Sequence, residues 1–155
     1  MFTTTDIPKW DRRFLVLAEH VSKWSKDPST QCGAVVARGN KVLGIGYNGF
    51  ASRVDDLPDR YDNRDLKYKY IIHAEINAIL NAGTNLAGCT LYVFPFAPCC
   101  DCAKIVVQAG ITKVVTLVPP DDLMSRWADS LKHTMTMFDE AGVLLVVASK
   151  LSDDS

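Results

Sequence analysis

The 155-residue chain is long enough for one domain with a substantial hydrophobic core and short for two. Its 48% hydrophobic and 23% charged residues are typical of a globular protein. The formal net charge of −1 argues against a protein that tracks a nucleic-acid backbone, so a small-molecule substrate is favoured and nucleic acid is not an expected partner. We expect a single domain over residues 1–155, with a core over about 10–148 and a flexible tail over 149–155.

The beginning of the chain and its cysteines indicate the compartment. The first residues contain no basic segment followed by an apolar run, so no signal peptide is expected, and no apolar stretch approaches membrane-spanning length. Three of the five cysteines crowd into Cys99, Cys100 and Cys102, which suits a metal better than a disulfide framework. We therefore expect a cytoplasmic protein with no membrane partner.

The periodicity of the apolar residues predicts a regular order of elements. A helix over residues 10–26 precedes strands over 33–37 and 42–47, which a short Gly-Asn turn joins. Residues 48–69 form a long charged excursion with at most a short helix, either functional or a solvated loop. The predicted elements that follow are helices over 73–81, 100–109 and 121–141 and strands over 90–94, 113–118 and 143–148.

This order predicts an α/β fold, because strand–helix–strand crossovers imply parallel pairing. We expect a three-layer α/β/α sandwich around a five-stranded mixed sheet, in which an opening antiparallel hairpin precedes parallel strands. Gly44 and Gly46 alternate with apolar residues in the second strand, and glycines there often mark the close approach of a ligand or another chain.

Four side chains form a candidate metal and catalytic group. Cys99 and Cys102 are three residues apart at a predicted helix start, where free N–H groups and the helix dipole stabilise thiolates. His73 supplies a third ligand from another helix start. Zinc takes such ligands, and a catalytic zinc site keeps its fourth position open. Glu75 is placed to carry protons at that open position.

Plainer interpretations of the cysteines and histidines remain open. A single Cys-x-x-Cys pair occurs in redox sites and as half of a structural zinc site, which needs a fourth ligand. Cys100 is the nearest spare thiol, and it is expected to point away. Cys32 and Cys89 suit core positions, and His20 and His133 have no ligand-like spacing to other candidates.

These residues give the chain a resemblance to the deoxycytidylate (dCMP) deaminase family, within the cytidine-deaminase-like fold. The His-x-Glu and Pro-Cys-x-x-Cys motifs are those of zinc deaminases. Three further stretches resemble this family more specifically: DPSTQCGAV over 27–35, GIGYNGF over 44–50, and KY just before the His73 motif. The resemblance extends from about Phe14 to Val147.

The resemblance implies zinc-dependent hydrolysis of dCMP to dUMP, which supplies thymidylate synthesis. Zinc would activate the water that attacks C4, while Glu75 moves protons to N3 and the exocyclic amine. The backbone near Ala74 and Pro98 would contact the base, and Asn48 would reach a sugar hydroxyl. The candidates for the 5′-phosphate are Lys26, Ser29 and Thr30. Helix termination and turn formation are the alternative explanation of these last three.

The resemblance also implies an allosteric oligomer. Many members of this family are hexamers that dCTP activates and dTTP inhibits, with Mg²⁺. Asn48 belongs to both the implied substrate site and the implied effector site. Arginines of the excursion, together with Lys67, would meet the triphosphate, and arginine is favoured because the guanidinium group makes forked phosphate contacts. The implied effector residues are Gly46, Tyr47, Asn48, Gly49, Arg53, Arg60 and Arg64.

Two segments depart from the family pattern. The sequence FPFA over 94–97 differs from the usual approach to the cysteine motif, which puts the wall of the base pocket in doubt. The sequence VPPDD over 118–122 lacks a tyrosine that the family often carries. Trp127 is a weak candidate for an aromatic lid, and a core position is its plainer interpretation. No ligand set for the extra structural zinc of some members is found.

Two other functions compete with a regulated dCMP deaminase. One is deamination of another free cytosine nucleoside or nucleotide, or of a base in nucleic acid, without effector control. The other is a zinc-stabilised binding module with no turnover. Glu75 separates the last from the rest, because a structural zinc site has no use for a free carboxylate at the metal.

Overall fold

The computed structural model describes residues 2–4 and 6–151. Its elements in chain order are β1 (Phe2–Thr4), α1 (Lys9–Ser22), β2 (Gly33–Arg38), β3 (Lys41–Tyr47), β4 (Gly49–Phe50), α2 (Pro58–Asp62), α3 (Arg64–Tyr70), β5 (Ile71–Ile72), α4 (Ala74–Ala82), β6 (Thr90–Phe94), α5 (Cys100–Gln108), β7 (Lys113–Leu117), α6 (Asp121–Ala141) and β8 (Leu144–Ala148). None of the helices in these ranges is both long and apolar enough to cross a membrane.

The main sheet has the strand order β1-β8-β7-β6-β2-β3. Strand β2 is antiparallel to both β3 and β6, whereas the pairs β6–β7, β7–β8 and β1–β8 are parallel. The five predicted strands are therefore all present, and the predicted mixed α/β sheet is confirmed. The short strand β1 adds to its edge beside β8, and β4 pairs with β5 as a separate two-stranded sheet.

Side chains of the sheet alternate between two apolar cores, as the two-residue period of a strand requires. In β2, Ala34 and Val36 belong to the core that contains residues of α4, α5 and α6. Their neighbours Val35 and Ala37 belong to the core that contains residues of α1. The sheet thus has α1 on one face and α4, α5 and α6 on the other, which confirms the three-layer sandwich.

The first helix is shorter than predicted, since α1 ends at Ser22 rather than at residue 26. The amides of Lys23, Trp24 and Ser25 donate to carbonyls three residues back, so the chain leaves the α-helix through a tighter turn. The Ser25 hydroxyl then donates to the Asn48 carbonyl at 2.8 Å. The prediction of a longer helix was wrong because this contact directs the chain towards β3.

The excursion after β3 contains more regular structure than the single short helix expected. Helices α2 and α3 and the β4–β5 pair all lie within or at the end of it. Phe50 stacks on Tyr61 with ring centroids 4.1 Å apart, and the Arg60 guanidinium lies 4.6 Å from the centroid of the Tyr70 ring. The charged composition gave no indication of these aromatic contacts, through which residues of the segment pack against one another.

The predicted tail begins at residue 149. Leu151 is half-buried and packs against the core on the α1 side of the sheet. Residues 152–155 lie outside the described residues.

Candidate active site

Two helix starts bring a histidine and two cysteines together. His73 occupies the N-cap position of α4, Cys99 occupies that of α5, and Cys102 lies in the first turn of α5. His73 Nδ1 lies 3.2 Å from Cys102 Sγ and 3.5 Å from Cys99 Sγ. The three ligand atoms all lie within 4.8 Å of one another, so residues 29 positions apart in sequence form one donor cluster.

This cluster fits zinc. With Zn–N and Zn–S bonds of about 2.0 and 2.3 Å, tetrahedral geometry places a nitrogen and a sulfur ligand about 3.5 Å apart. The His73–Cys99 and His73–Cys102 distances agree with that spacing. Cys100 is not part of the cluster. Three protein ligands leave one position open, which is the pattern of a catalytic rather than a structural zinc site.

Hydrogen bonds within the cluster favour a thiolate at Cys99. Its pKa is lowered to about 4, first because Cys102 donates a hydrogen bond to it and also because His73 does, which outweighs the effect of burial. The pKa of His73 is raised, chiefly by its hydrogen bond with Cys99. Cys99 is thus the ligand whose own contacts favour the deprotonated form that binds a cation.

Glu75 is the second residue of α4 and is only 5% exposed. Its pKa is raised, mainly because burial disfavours the charged carboxylate. It lines the same cavity as His73 and Cys99. A carboxyl group whose pKa lies closer to neutrality is a better proton carrier, so its burial suits a role in acid–base catalysis.

His73 and Cys99 of the cluster lie in the wall of a cavity of about 350 Å³, a volume suited to a small-molecule ligand. Four of the candidate substrate residues line this cavity, namely Ser29, Thr30, Asn48 and Ala74. Lys26 does not line it, and its ammonium group instead pairs with Asp56 at 2.8 Å. Pro98 lines a neighbouring cavity, and its carbonyl accepts a hydrogen bond from Thr134 Oγ1 at 2.8 Å.

The Asn48 side chain is held by three hydrogen bonds within the protein. Its Oδ1 accepts from the Cys32 amide at 2.8 Å, and its Nδ2 donates to the Thr30 carbonyl at 2.9 Å and to Asp27 Oδ2 at 3.2 Å. Both amide protons are therefore used, and one lone pair of Oδ1 remains for a ligand in the cavity.

The candidate effector residues lie in several environments. Gly46 is buried beneath α4, and a Cβ there would meet the backbone of Ala78 and Ala74. A glycine in a strand predicts such a close approach of another segment, and here that segment is helix α4. Tyr47 is exposed and packs edge-on against Trp24.

The other members of that set are dispersed around the excursion. Gly49 pairs with Ile72 in the small sheet. Arg53 adopts a positive φ of 71°, and Arg60 covers the Tyr70 ring. Arg64 lines the cavity that also contains His73 and Cys99 in its wall.

The sequence analysis did not place several side chains that line the cavity. Phe96 and Trp127 stack with centroids 6.2 Å apart, and both form part of the cavity wall, so the expected core position of Trp127 was wrong. Trp127 is a large apolar residue within a predicted helix, which made the core the simpler interpretation. The other cavity residues missed are Asp27, Cys32, Tyr61, Asp62, Tyr68, Ile71 and Arg126, and the cavity is also lined by Lys67, which was expected at the effector triphosphate.

Comparisons with known proteins agree on one family. The family model for the cytidine and deoxycytidylate deaminase zinc-binding region matches residues 8–118. An uncharacterized deaminase in the luxG 3′ region of Aliivibrio fischeri is 44% identical over 137 residues, which cover 88% of this chain and 92% of that protein. The deoxycytidylate deaminase of Homo sapiens is 40% identical over 147 residues, which cover 89% of this chain and 79% of that protein.

A solved structure is similar over almost the whole chain. The dCMP deaminase from the cyanophage S-TIM5, crystallised in complex with dCMP and dUMP, matches with a TM-score of 0.72 and 26% identity. The match covers 92% of this chain and 98% of that chain. The resemblance inferred from the sequence is confirmed: the chain belongs to the deoxycytidylate deaminase family and is a hydrolytic deaminase.

Proposed function

We propose that the chain catalyses the hydrolytic deamination of dCMP to dUMP with release of ammonia. The observation that carries this proposal is one cavity lined by two of the three zinc ligands, His73 and Cys99, by the buried Glu75 carboxyl group and by Arg126. The relatives named deoxycytidylate deaminase and the S-TIM5 complex with dCMP and dUMP support the choice of substrate.

His73, Cys99 and Cys102 would hold the zinc, which when bound supplies Lewis acidity that activates water at neutral pH. Glu75 takes one proton from the attacking water and delivers it to N3, and then takes the second proton from the oxygen added at C4 and delivers it to the exocyclic nitrogen. The water oxygen is added at C4 and the C4–N bond breaks, so ammonia leaves and a uracil ring remains. The backbone at Ala74 lines the same cavity and faces the base.

The sugar and phosphate extend towards Ser29, Thr30 and Asn48, which line the same cavity. Arg126 lines it too, and it has no hydrogen-bond or ion-pair partner among the described residues. A guanidinium group suits a phosphate dianion, because it offers two parallel donors together with its charge. Arg126 therefore takes the role for which sequence alone suggested Lys26, whose ammonium group pairs with Asp56.

By family membership we further propose that dCTP activates and dTTP inhibits the enzyme, each with Mg²⁺, in a homohexamer. The GYNG sequence over 46–49 and the arginines Arg53, Arg60 and Arg64 are the chain's own support for an effector site. We also propose a cytoplasmic role in pyrimidine nucleotide synthesis, in line with five free cysteines.

The test is ammonia release from dCMP, measured beside deoxycytidine, dCTP as substrate and a short cytosine-containing oligonucleotide. Preferred turnover of dCMP is expected, and a comparable rate on the oligonucleotide would contradict it. Addition of dCTP·Mg should raise the rate at subsaturating dCMP, and addition of dTTP·Mg should suppress it. A rate that responds to neither effector would remove the regulatory proposal and leave the catalytic one standing.

A further inference from the structure

One carboxylate accepts several hydrogen bonds at the sugar-and-phosphate side of the cavity. Asp27 Oδ1 accepts from the Ser29 amide at 2.9 Å and the Thr30 amide at 3.4 Å. Asp27 Oδ2 accepts from Asn48 Nδ2 at 3.2 Å. The Asp27 side chain is only 3% exposed, so the orientation of all three neighbours depends on a buried group.

The cation that balances Asp27 comes from the excursion. Lys67 Nζ, on α3, lies 2.9 Å from Asp27 Oδ1 and 2.8 Å from Asp27 Oδ2. The Lys67 side chain is 13% exposed, so this is a largely desolvated ion pair. Residues 40 positions apart in sequence are thereby joined, and α3 is fastened to the edge of the cavity.

In this geometry Lys67 is not available to bind the phosphate of the nucleotide. Its ammonium group is within hydrogen-bond distance of both oxygens of the carboxylate, so its charge is already matched. A structural role alone would not require the pair to be in a cavity wall. Both Asp27 and Lys67 line the cavity, next to the three residues that Asp27 orients.

We propose that Asp27 and Lys67 are positioning residues for the deamination: their ion pair sets Asn48, Ser29 and Thr30 in place for the nucleotide and holds α3 against the cavity. This proposal rests on the proposed function, since it assigns those three residues to the substrate. It predicts that the pair governs KM for dCMP and leaves kcat nearly unchanged, because neither side chain touches the reacting atoms.

The test compares Lys67→Met, Lys67→Arg and the double variant Asp27→Asn/Lys67→Met with the unmodified zinc-loaded enzyme. Removing one partner leaves a buried charge unpaired, whereas removing both does not, so the double variant should recover most of the thermal stability that Lys67→Met loses. Its KM for dCMP should nevertheless stay raised about tenfold, since a neutral amide cannot accept all the hydrogen bonds that the carboxylate accepts. Lys67→Arg keeps the charge and should stay closer to the unmodified KM.

A partly buried ion pair elsewhere in the molecule provides the control. Lys113 Nζ and Asp11 Oδ2 lie 2.7 Å apart, and Asp11 also accepts a hydrogen bond from Tyr92, outside the residues that line the cavity. Lys113→Met should lower the melting temperature without changing KM. An unmodified KM in the folded double variant, or a KM change of equal size in Lys113→Met, would overturn the proposal.

Hydrogen exchange supplies a readout that does not depend on turnover. Amides of α3 (Arg64–Tyr70) should exchange faster in Lys67→Met than in the unmodified enzyme, and those of β7 should not. Unchanged exchange across α3 would overturn the anchoring role. If the unmodified zinc enzyme does not deaminate dCMP at all, the proposed function fails, and the exchange result still decides whether the pair fastens α3.

Discussion

The Phe96 and Trp127 rings stack with an interplanar angle of 27°, and the pair forms a wall shared by two cavities. One is the catalytic cavity, and the other is an apolar space of about 160 Å³ between α6 and strands β7 and β8. The family tyrosine expected after β7 is absent from this sequence. The aromatic surface beside the metal cluster therefore comes from the segment before Cys99 and from α6.

Replacing Trp127 with alanine should weaken binding of the base. Stacking of a base on an aromatic ring contributes about 1–3 kcal/mol by alanine substitution, so KM for dCMP should rise about tenfold or more. Steady-state kinetics on the zinc-loaded variant measures this. Trp10→Ala is the control, because Trp10 packs on Phe14 outside the cavity wall. An unchanged KM in folded Trp127→Ala would remove this ring from the base pocket.

Replacing Arg126 with glutamine should lower activity on the nucleotide and leave activity on the nucleoside almost unchanged. The variant loses a charge for the phosphate, so kcat/KM for dCMP should fall about tenfold or more while that for deoxycytidine changes little. Arg13→Gln removes a charge that lies over Trp10, away from the cavity, and serves as the control. Equal losses on dCMP and deoxycytidine would show that Arg126 does not act on the phosphate.

Adding a methyl group at Gly46 should displace the helix that carries Glu75. A Cβ at this position would meet the backbone of Ala74 and Ala78, and backbone cannot move aside as a flexible side chain does. We expect Gly46→Ala to lower the free energy of unfolding by about 1–3 kcal/mol, measured by denaturant titration. Gly49 has nothing within 4 Å of such a Cβ, so Gly49→Ala should change stability far less. Equal stability of the two variants would contradict this packing.

Removing Cys102 should release zinc and loosen the two helix starts that the metal joins. Cys102→Ala leaves two ligands, so zinc content measured by mass spectrometry should fall sharply and the melting temperature should drop with it. Cys100→Ala is the matched control, since Cys100 lies outside the cluster and its backbone amide, which the substitution keeps, donates to Ser130 Oγ at 2.9 Å. Full zinc occupancy in Cys102→Ala would contradict the ligand assignment.

Sequence predicted the elements that local pattern determines. The strands over 90–94, 113–118 and 143–148 alternate with helices whose ends carry glycines, and Gly83 and Gly142 do end α4 and α6 in the left-handed conformation. The motif spacing likewise placed His73 and Cys99 at the first positions of two helices, where the structure has them. These features depend on neighbours within a few residues of each other.

The features that sequence did not predict depend on contacts between distant residues. In the sequence, Asp27 before Pro28 indicates only the end of a helix. Its ion pair with Lys67 of α3 depends on the fold and is seen only in the structure. The fourth predicted helix was right in its bounds, but a core position was the plainer interpretation of Trp127, which lines the cavity. The charged composition of the excursion left a functional segment and a solvated loop both open, and it did not predict that Phe50 and Tyr61 stack within it.

Glu75→Gln tests most directly whether Glu75 carries the protons of the reaction. Glutamine matches the carboxylate in shape but cannot take and return a proton, so turnover of dCMP should fall by about 10²–10⁴-fold. Zinc content and melting temperature should remain those of the unmodified enzyme, because the three metal ligands are intact. Turnover at the unmodified rate by folded, zinc-loaded Glu75→Gln would contradict the mechanism.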